Sequence, residues 1–149
     1  MGIRCFLIEP IFGNPLPEDI GSRHWPPNRA IVGWQRKDTG EKRERNRDFG
    51  VGAMWFAVWQ PLNWDWDNKA EPHLIVRCPN GPEQTRDWDI DSRASNCALP
   101  GDKVHRCWIR HGVPPTITVD KAGLTCIAGA GSIALPNWHG FLRNGELVP

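Results

Sequence analysis

Short apolar runs alternate with polar, glycine-rich and proline-rich segments along the chain. Runs of this length that are rich in β-branched and aromatic side chains predict strands. We predict strands over residues 4–10, 30–35, 53–59, 73–77, 85–91, 104–110, 116–120 and 124–128. No amphipathic pattern is long enough for a helix of about three turns. The pattern predicts a mainly-β fold: a single antiparallel β-sandwich or barrel-like roll of about eight to ten short strands, with long loops and little helix.

Two Asn-Gly pairs predict hairpins, because both residue types tolerate the positive φ that tight turns require. Asn80-Gly81 lies between two predicted strands, and Asn144-Gly145 lies within the closing segment "WHGFLRNGELV". In "TRDWDID", alternation predicts that Trp88 and Ile90 are buried while the intervening aspartates are exposed. Loops are predicted over residues 11–29, which hold four prolines, over 60–72 and over 92–103.

The composition of the 149 residues fits one globular domain over residues 1–149. The chain has nine Trp, no Tyr, 15 Gly and 14 Pro, which is typical of a turn-rich β domain. No apolar run approaches the roughly 18 residues of a membrane span, so we expect no membrane contact. The opening "MGIRCFLIEP" is interpreted as a first strand rather than a signal peptide.

Charge is nearly balanced, since the formal net charge is +1. This value argues against binding of duplex nucleic acid, which needs many uncompensated cations. Residues 36–48 hold six basic and four acidic side chains and no apolar one. We interpret this segment as a solvated hairpin tip or mobile loop, with a phosphate-binding arm as the alternative.

The five cysteines form no C-x-x-C pair, and their odd number excludes complete pairing within one chain. Free thiols in a reducing cytoplasm are therefore expected. A strand over 104–110 would place His105, Cys107 and His111 on one face, and Cys97 and Cys126 could complete a zinc site. Zinc is the one cofactor suggested; the alternative is that the cysteines pack as small apolar side chains. A Cys-His nucleophile pair is a further alternative.

Residues 91–140 are dense in versatile polar groups, which predicts a concave polar pocket. In "DSRASNC", Arg93 and Asn96 could grip an anionic or amide-bearing ligand, or the loop could bond only to itself. "AGAGS" could form a phosphate-binding backbone nest or only a tight turn. The predicted ligand-binding residues are Arg93, Asn96, His105, Arg110, His111, Lys121, Gly129, Gly131, Ser132 and His139. The predicted metal ligands are Cys97, His105, Cys107 and Cys126.

Six motifs occur in fixed order: "GAMWFA", "HLIV", "DSRASNC", "HRCWIRHG", "VDKAGLTCIAGAGSI" and "WHGFLRNGEL". With them the chain resembles a family of small, functionally uncharacterised proteins of tailed bacteriophages that infect actinobacteria. The similarity covers residues 53–147 and the opening "RCFLIEP". The resemblance implies phage origin and action in an infected cell or on a particle. It supplies no reaction and no catalytic residue.

Three functions follow from these observations. We favour a non-enzymatic accessory protein in the host cytoplasm that binds a small polar or phosphorylated ligand or a host protein, and that acts against host defence. The first alternative is a virion component, such as a capsid decoration or tail protein, because aromatic side chains serve interfaces well. The second alternative is a zinc-dependent or Cys-His hydrolase. Self-association into a homo-oligomer is compatible with all three functions.

Overall fold

The computed structural model describes residues 2–15, 29–57, 72–102 and 104–149. Within these ranges the chain forms twelve strands and one 3₁₀ turn, Asn46–Asp48. The strands are β1 Ile3–Arg4, β2 Phe6–Pro15, β3 Arg29–Arg36, β4 Lys42–Arg43, β5 Ala53–Phe56, β6 Leu74–Pro79, β7 Thr85–Asp89, β8 Ile109–Val113, β9 Thr116–Asp120, β10 Ile133–Leu135, β11 Trp138–Arg143 and β12 Glu146–Val148. The mainly-β prediction is confirmed, although the strands are more numerous than expected.

The strands form three sheets and no closed barrel among the described residues. The largest has the order β4-β3-β2-β5-β6-β7, the second β1-β12-β11-β10, and β8 pairs only with β9. All pairs are antiparallel except β2 with β5, which pair at Phe6 and Leu7. The predicted loop at 60–72 and the end of the strand predicted at 53–59 lie mostly outside the described residues.

One apolar core joins all three sheets. Its members alternate with residues of the opposite face along each strand, as a pleated sheet requires. The buried members are Cys5, Met54, Leu74, Val76, Cys78, Ile90, Ile117, Val119, Ile133, Leu142 and Leu147. A second cluster on the other face of the large sheet includes Ala53, Trp55 and Ile75. The apolar run at 53–56 is thus explained, because β5 is buried on both faces.

Arg77 fastens the 3₁₀ turn to the large sheet from a buried position. Its guanidinium donates to the carbonyl oxygens of Asn46 (3.0 Å) and Phe49 (2.8 Å) and to Asp87 Oδ1 (2.9 Å). The same group lies over the Trp55 ring, 4.8 Å from its centroid. The charged segment 36–48 is otherwise exposed, with β3 and β4 forming a hairpin, so the predicted solvated hairpin is confirmed.

Both Asn-Gly hairpins are confirmed. Gly81 has φ of +104°, and Asn144 and Gly145 have φ of +48° and +76°. The prediction of a loop at 11–29 is wrong at its start, because β2 continues to Pro15. Among the described residues β2 pairs beyond Leu7 only with β3, and Pro10 and Pro15 lie in this part of the strand, where prolines are best tolerated.

Two other predicted strands are wrong, and both lie where the site forms. Residues 104–108 are irregular and β8 begins only at Ile109, while residues 124–128 form turns instead of a strand. Asp102 Oδ1 accepts the backbone N–H of Val104 (2.7 Å), which turns the chain out of an extended path. The N–H of Arg106 then donates to the carbonyl of Leu124 (2.9 Å), and this bond joins the two irregular segments.

The exposed position predicted for Asp91 is also wrong, since this residue is 2% exposed. The strand ends at Asp89, and the chain turns so that Asp91 Oδ2 accepts the backbone N–H of Leu74 at 2.9 Å. Its Oδ1 lies 3.4 Å from Arg110 Nε. Asp91 thereby links the large sheet to the β8–β9 pair, beside an edge-to-face contact of Trp88 with Trp108.

Candidate metal centre

Two loops meet at one end of the β8–β9 hairpin. The first loop is residues 90–108, between β7 and β8, and the second loop is residues 121–132, between β9 and β10. Besides the bond between Arg106 and Leu124, the N–H of Ala130 donates to the carbonyl of Cys107 at 2.9 Å. The hairpin brings the loops together, because Ile117 and Val119 anchor it in the core.

The two loops assemble four side chains that we call the Cys3His cluster. Its members are Cys97, His105, Cys107 and Cys126. Each offers one ligand atom, and these four atoms all lie within 4.8 Å of one another. These are the four residues predicted from the sequence as metal ligands. His111, which the sequence placed on the same face, is not among them.

The distances suit a tetrahedral zinc ion. Cys97 Sγ lies 3.2 Å from His105 Nε2, and Cys107 Sγ lies 4.0 Å from Cys126 Sγ. Zinc bonds of about 2.3 Å to sulfur and about 2.0 Å to nitrogen separate the ligand atoms of a tetrahedron by about 3.5–3.8 Å. Only small side-chain adjustments would bring all four atoms to these separations. Three thiols and one imidazole are also the soft and borderline donors that zinc prefers.

Backbone turns present the ligand side chains. The N–H of Cys97 donates to the carbonyl of Ala94 (3.1 Å), and the N–H of Gly129 donates to the carbonyl of Cys126 (2.9 Å). A Cβ at Gly129 would lie 2.0 Å from Thr125 Oγ1, so any other residue in this tight turn would require Thr125 to move. Because the N–H groups of Gly129 and Ala130 already donate within the loops, the predicted phosphate nest has no support from them.

The thiols differ in their electrostatic surroundings. Burial raises the pKa of the Cys107 thiol to about 11. A backbone hydrogen bond from Ala98 lowers the pKa of the half-buried Cys126 thiol, and a second one from Ala128 adds to this effect. N–H groups directed at a sulfur favour its thiolate form, which is the form that binds a metal. Cys5 and Cys78 lie outside the cluster, and burial raises the pKa of each to about 12.

Two charged residues flank the cluster. Arg93 Nη1 lies 3.6 Å from Cys97 Sγ and 3.1 Å from His105 Nε2. On the other side of the imidazole, Asp102 Oδ1 lies 3.8 Å from His105 Nδ1. Backbone hydrogen bonds from Val104 and His105 lower the pKa of the Asp102 carboxyl. At 3.8 Å the carboxylate is too far from Nδ1 for a hydrogen bond, and the buried Nδ1 has no hydrogen-bond partner among the described residues.

The other predicted ligand-binding residues are spread over the surface. His111 Nε2 lies 2.8 Å from Asp120 Oδ1 on the exposed side of β8–β9. Asn96 and Lys121 are exposed beside the two loops, and Arg110 faces Asp91 instead of a pocket. His139 is exposed on β11 and contacts Phe141 edge-on.

Gly131 and Ser132 end the second loop, where both are half-buried. The Ser132 carbonyl accepts the indole N–H of Trp108 at 3.0 Å.

Two cavities in the described part of the chain lie away from the Cys3His cluster. One, of about 610 Å³, is lined by residues 80–84 and Asn137, and the other, of about 300 Å³, lies between β2 and Phe56. The sequence also missed a buried pair, since His73 Nδ1 lies 2.8 Å from Asp89 Oδ2.

The fold and the cluster together define a class: a mainly-β protein with a Cys3His set of side chains on two loops that could hold a metal ion. No protein-family model, curated protein or solved structure matches the chain. Among the described residues, no helix has both the length and the apolar character needed to cross a membrane.

Proposed function

We propose that the Cys3His cluster binds one structural zinc ion and that the protein is a zinc-stabilised, non-enzymatic binding protein. The observation that supports this proposal is the convergence of four ligand atoms within 4.8 Å from two loops. Cysteines that only fill space have no reason to converge with a histidine on one point. Three thiols in contact would also be costly to ionise together unless a cation balanced them.

The number of ligands favours a structural role over catalysis. Catalytic zinc sites have three protein ligands and keep the fourth position for water or substrate. Here four protein side chains close the coordination shell, which leaves no position for an activated water. This argues against the zinc-dependent hydrolase among the three functions.

A Cys-His nucleophile pair is the competing interpretation of the same residues. The 3.2 Å separation of Cys97 Sγ and His105 Nε2 is short enough for proton transfer. Cys107 and Cys126 have no role in such a pair, whereas zinc uses all four side chains. A nucleophile pair predicts metal-free protein in which Cys97 is alkylated much faster than Cys126, and zinc binding predicts that both are protected until the metal is removed.

The surroundings of the cluster favour a protein partner over a small phosphorylated ligand. Four large aliphatic side chains near it are exposed, and each lies within two positions of a cluster residue. They are Leu99, Val104, Leu124 and Ile127. Exposed apolar side chains that cluster in one region are typical of interaction surfaces. In this proposal zinc fixes the two loops that present them.

The resemblance to actinobacteriophage proteins supplies the proposed setting, an infected cell in which the protein binds a host protein. A structural place in the virion is the alternative. Quantitative proteomics of purified particles separates the two settings. Stoichiometric copies in the particle would favour the virion, and their absence would favour the host cell.

The zinc proposal is tested by elemental analysis of untagged protein purified without chelators. We expect about one zinc per chain, and loss of most of this zinc in Cys107→Ser and Cys126→Ser. Cys78→Ser is the matched control, because Cys78 is as buried as Cys107 but lies outside the cluster. A metal-to-protein ratio near zero in the wild type, or equal zinc content in all variants, would contradict the proposal.

A further inference from the structure

A zinc ion in the Cys3His cluster would leave excess negative charge inside the protein. Three thiolates and a neutral imidazole around Zn²⁺ give the site a net charge of −1 by formal count. Cys107 and His105 are buried, so water screens this charge poorly. A nearby fixed cation would stabilise the loaded site and would raise its affinity for metal.

Arg93 is placed to supply that cation. Its Nη1 lies 3.6 Å from Cys97 Sγ and 3.1 Å from His105 Nε2. With zinc bound, the metal would use the lone pair of Nε2, so the guanidinium would interact with the loaded site through the Cys97 thiolate. An arginine side chain stays charged at every pH at which the protein is folded. The charge is therefore present both before and after metal binding.

The position of Arg93 is fixed by the same loop that supplies three ligands. Nη1 donates to the carbonyl of Leu99 at 2.8 Å, and Nη2 donates to the carbonyl of Asp102. Both acceptors lie within the segment that separates Cys97 from His105. The planar fork of the guanidinium thus bridges the loop and faces the sulfur at the same time.

We propose that Arg93 is a positioning residue of the metal centre: its fixed positive charge balances the thiolates and sets the affinity for zinc. This inference rests on the proposed function, because it needs the cluster to bind metal. It adds a fifth residue to the site, and it gives the "DSRASNC" motif one purpose, since the motif supplies both the cation and the first ligand.

Arg106 provides a matched control. It lies between His105 and Cys107 in sequence and has the same charge. Its Nη1 donates to the carbonyls of Val104 (3.3 Å) and His105 (2.9 Å), which are backbone groups and not ligand atoms. If any positive charge near the cluster were enough to raise the affinity for zinc, Arg106 and Arg93 would contribute equally to that affinity.

The experiment measures the affinities for Co²⁺ and Zn²⁺ of the wild type, Arg93→Gln, Arg93→Lys and Arg106→Gln by competition with a chromophoric chelator. We expect Arg93→Gln to bind about 10- to 100-fold more weakly, as for other residues that contact metal ligands. Arg93→Lys should recover most of this loss, because it keeps the charge. Arg106→Gln should stay within about threefold of the wild type. The thiolate-to-cobalt absorption band should keep its intensity in all four proteins, which shows that the ligand set is intact.

Three results would overturn the inference: Arg93→Gln within about threefold of the wild type, an equal loss in Arg106→Gln, or Arg93→Lys as weak as Arg93→Gln. If Arg93→Gln does not fold, the metal affinity of Arg93→Lys still tests the inference. A purely structural role, in which the guanidinium only bridges the two carbonyls, predicts that Arg93→Lys also loses metal affinity. A wild type that binds neither metal instead refutes the proposed function itself, so the two failures are distinguishable.

Discussion

Removing one ligand thiol should cost much more stability when zinc is present than when it is absent, and this dependence is the strictest test of the proposed metal centre. Cys107→Ala and Cys78→Ala each delete a fully buried sulfur, and only Cys107 belongs to the Cys3His cluster. The packing cost should be about 1 kcal/mol in each variant, comparable to a buried methylene group.

Zinc adds a second contribution that only one of the variants can lose. With free zinc held at 100 times its dissociation constant, binding to the folded state adds about 2.7 kcal/mol to the free energy of unfolding. The wild type and Cys78→Ala should both gain this amount, whereas Cys107→Ala should gain almost none. In zinc the Cys107 variant is therefore roughly 4 kcal/mol less stable than the wild type, and in EDTA only about 1 kcal/mol less stable.

Urea unfolding of the three proteins, in zinc buffer and in EDTA with a thiol reductant, measures these values. Metal binding to cysteines of the unfolded chain reduces the difference but does not abolish it. A zinc-dependent gain in Cys107→Ala that equals the gain in Cys78→Ala would refute the assignment of Cys107 as a ligand.

Three further predictions concern the fold and the thiols. Arg77→Lys should lower the free energy of unfolding by roughly 3 kcal/mol, because one ammonium group cannot replace the guanidinium hydrogen bonds to the carbonyls of Asn46 and Phe49 and to Asp87 together, and a cost below about 1 kcal/mol in urea would contradict this. A backbone hydrogen bond from Ala122 lowers the pKa of Asp120 in the folded protein. The ionised Asp120 carboxylate therefore stabilises the fold fully above the ordinary aspartate pKa of about 3.9, and this stabilisation is lost as the pH falls through the lower, folded-state value. Asp120→Asn should therefore cost more stability at pH 6 than at pH 2.5 in thermal unfolding, and equal costs would be evidence against the role of that carboxylate. In EDTA, iodoacetamide should modify Cys126 well before Cys78, because the pKa of Cys126 is lowered and that of Cys78 is raised to about 12; peptide mapping that finds equal rates would contradict these pKa directions.

Local sequence signals predicted the hairpins and the most buried strand. The turns at Gly81 and Gly145 need positive φ, which is a property of the residue itself and does not depend on distant partners. The apolar run at 53–56 likewise identifies a strand that is covered on both faces. In these cases the information lies within a few residues of the element.

The errors arise where pairing partners decide the outcome. The four prolines of residues 11–29 suggested a loop, yet β2 continues to Pro15, and among the described residues this part of the strand pairs on one side only, with β3. Asp91 suggested an exposed strand position, but the strand ends at Asp89 and the carboxylate turns inward toward Leu74 and Arg110. Neither arrangement can be deduced without knowing the neighbouring strand.

The four residues predicted as metal ligands converge in space, although the geometry that suggested them was incorrect. Alternation along a strand grouped His105 and Cys107 with His111, but residues 104–108 are irregular, and His111 lies in β8 and pairs with Asp120 on the exposed side of the hairpin. Residue chemistry was sufficient to nominate the ligands, because few other side chains bind zinc. Their convergence depends on contacts between loops that no local pattern encodes.

The separation of Cys107 and Cys126 in the sequence determines what a zinc ion could do for the protein. In a zinc knuckle, ligand pairs a few residues apart let the metal organise a local turn, and such domains unfold without it. Here Cys107 and Cys126 are separated by the whole β8–β9 hairpin, whose Ile117 and Val119 are buried in the core. The core, not the metal, brings the second loop to the first. A zinc ion in the cluster would therefore stabilise two loops on an already folded β scaffold. The EDTA arm of the unfolding experiment should for this reason still show a cooperative transition, and the exposed side chains beside the cluster are the part of the molecule that we expect the metal to order.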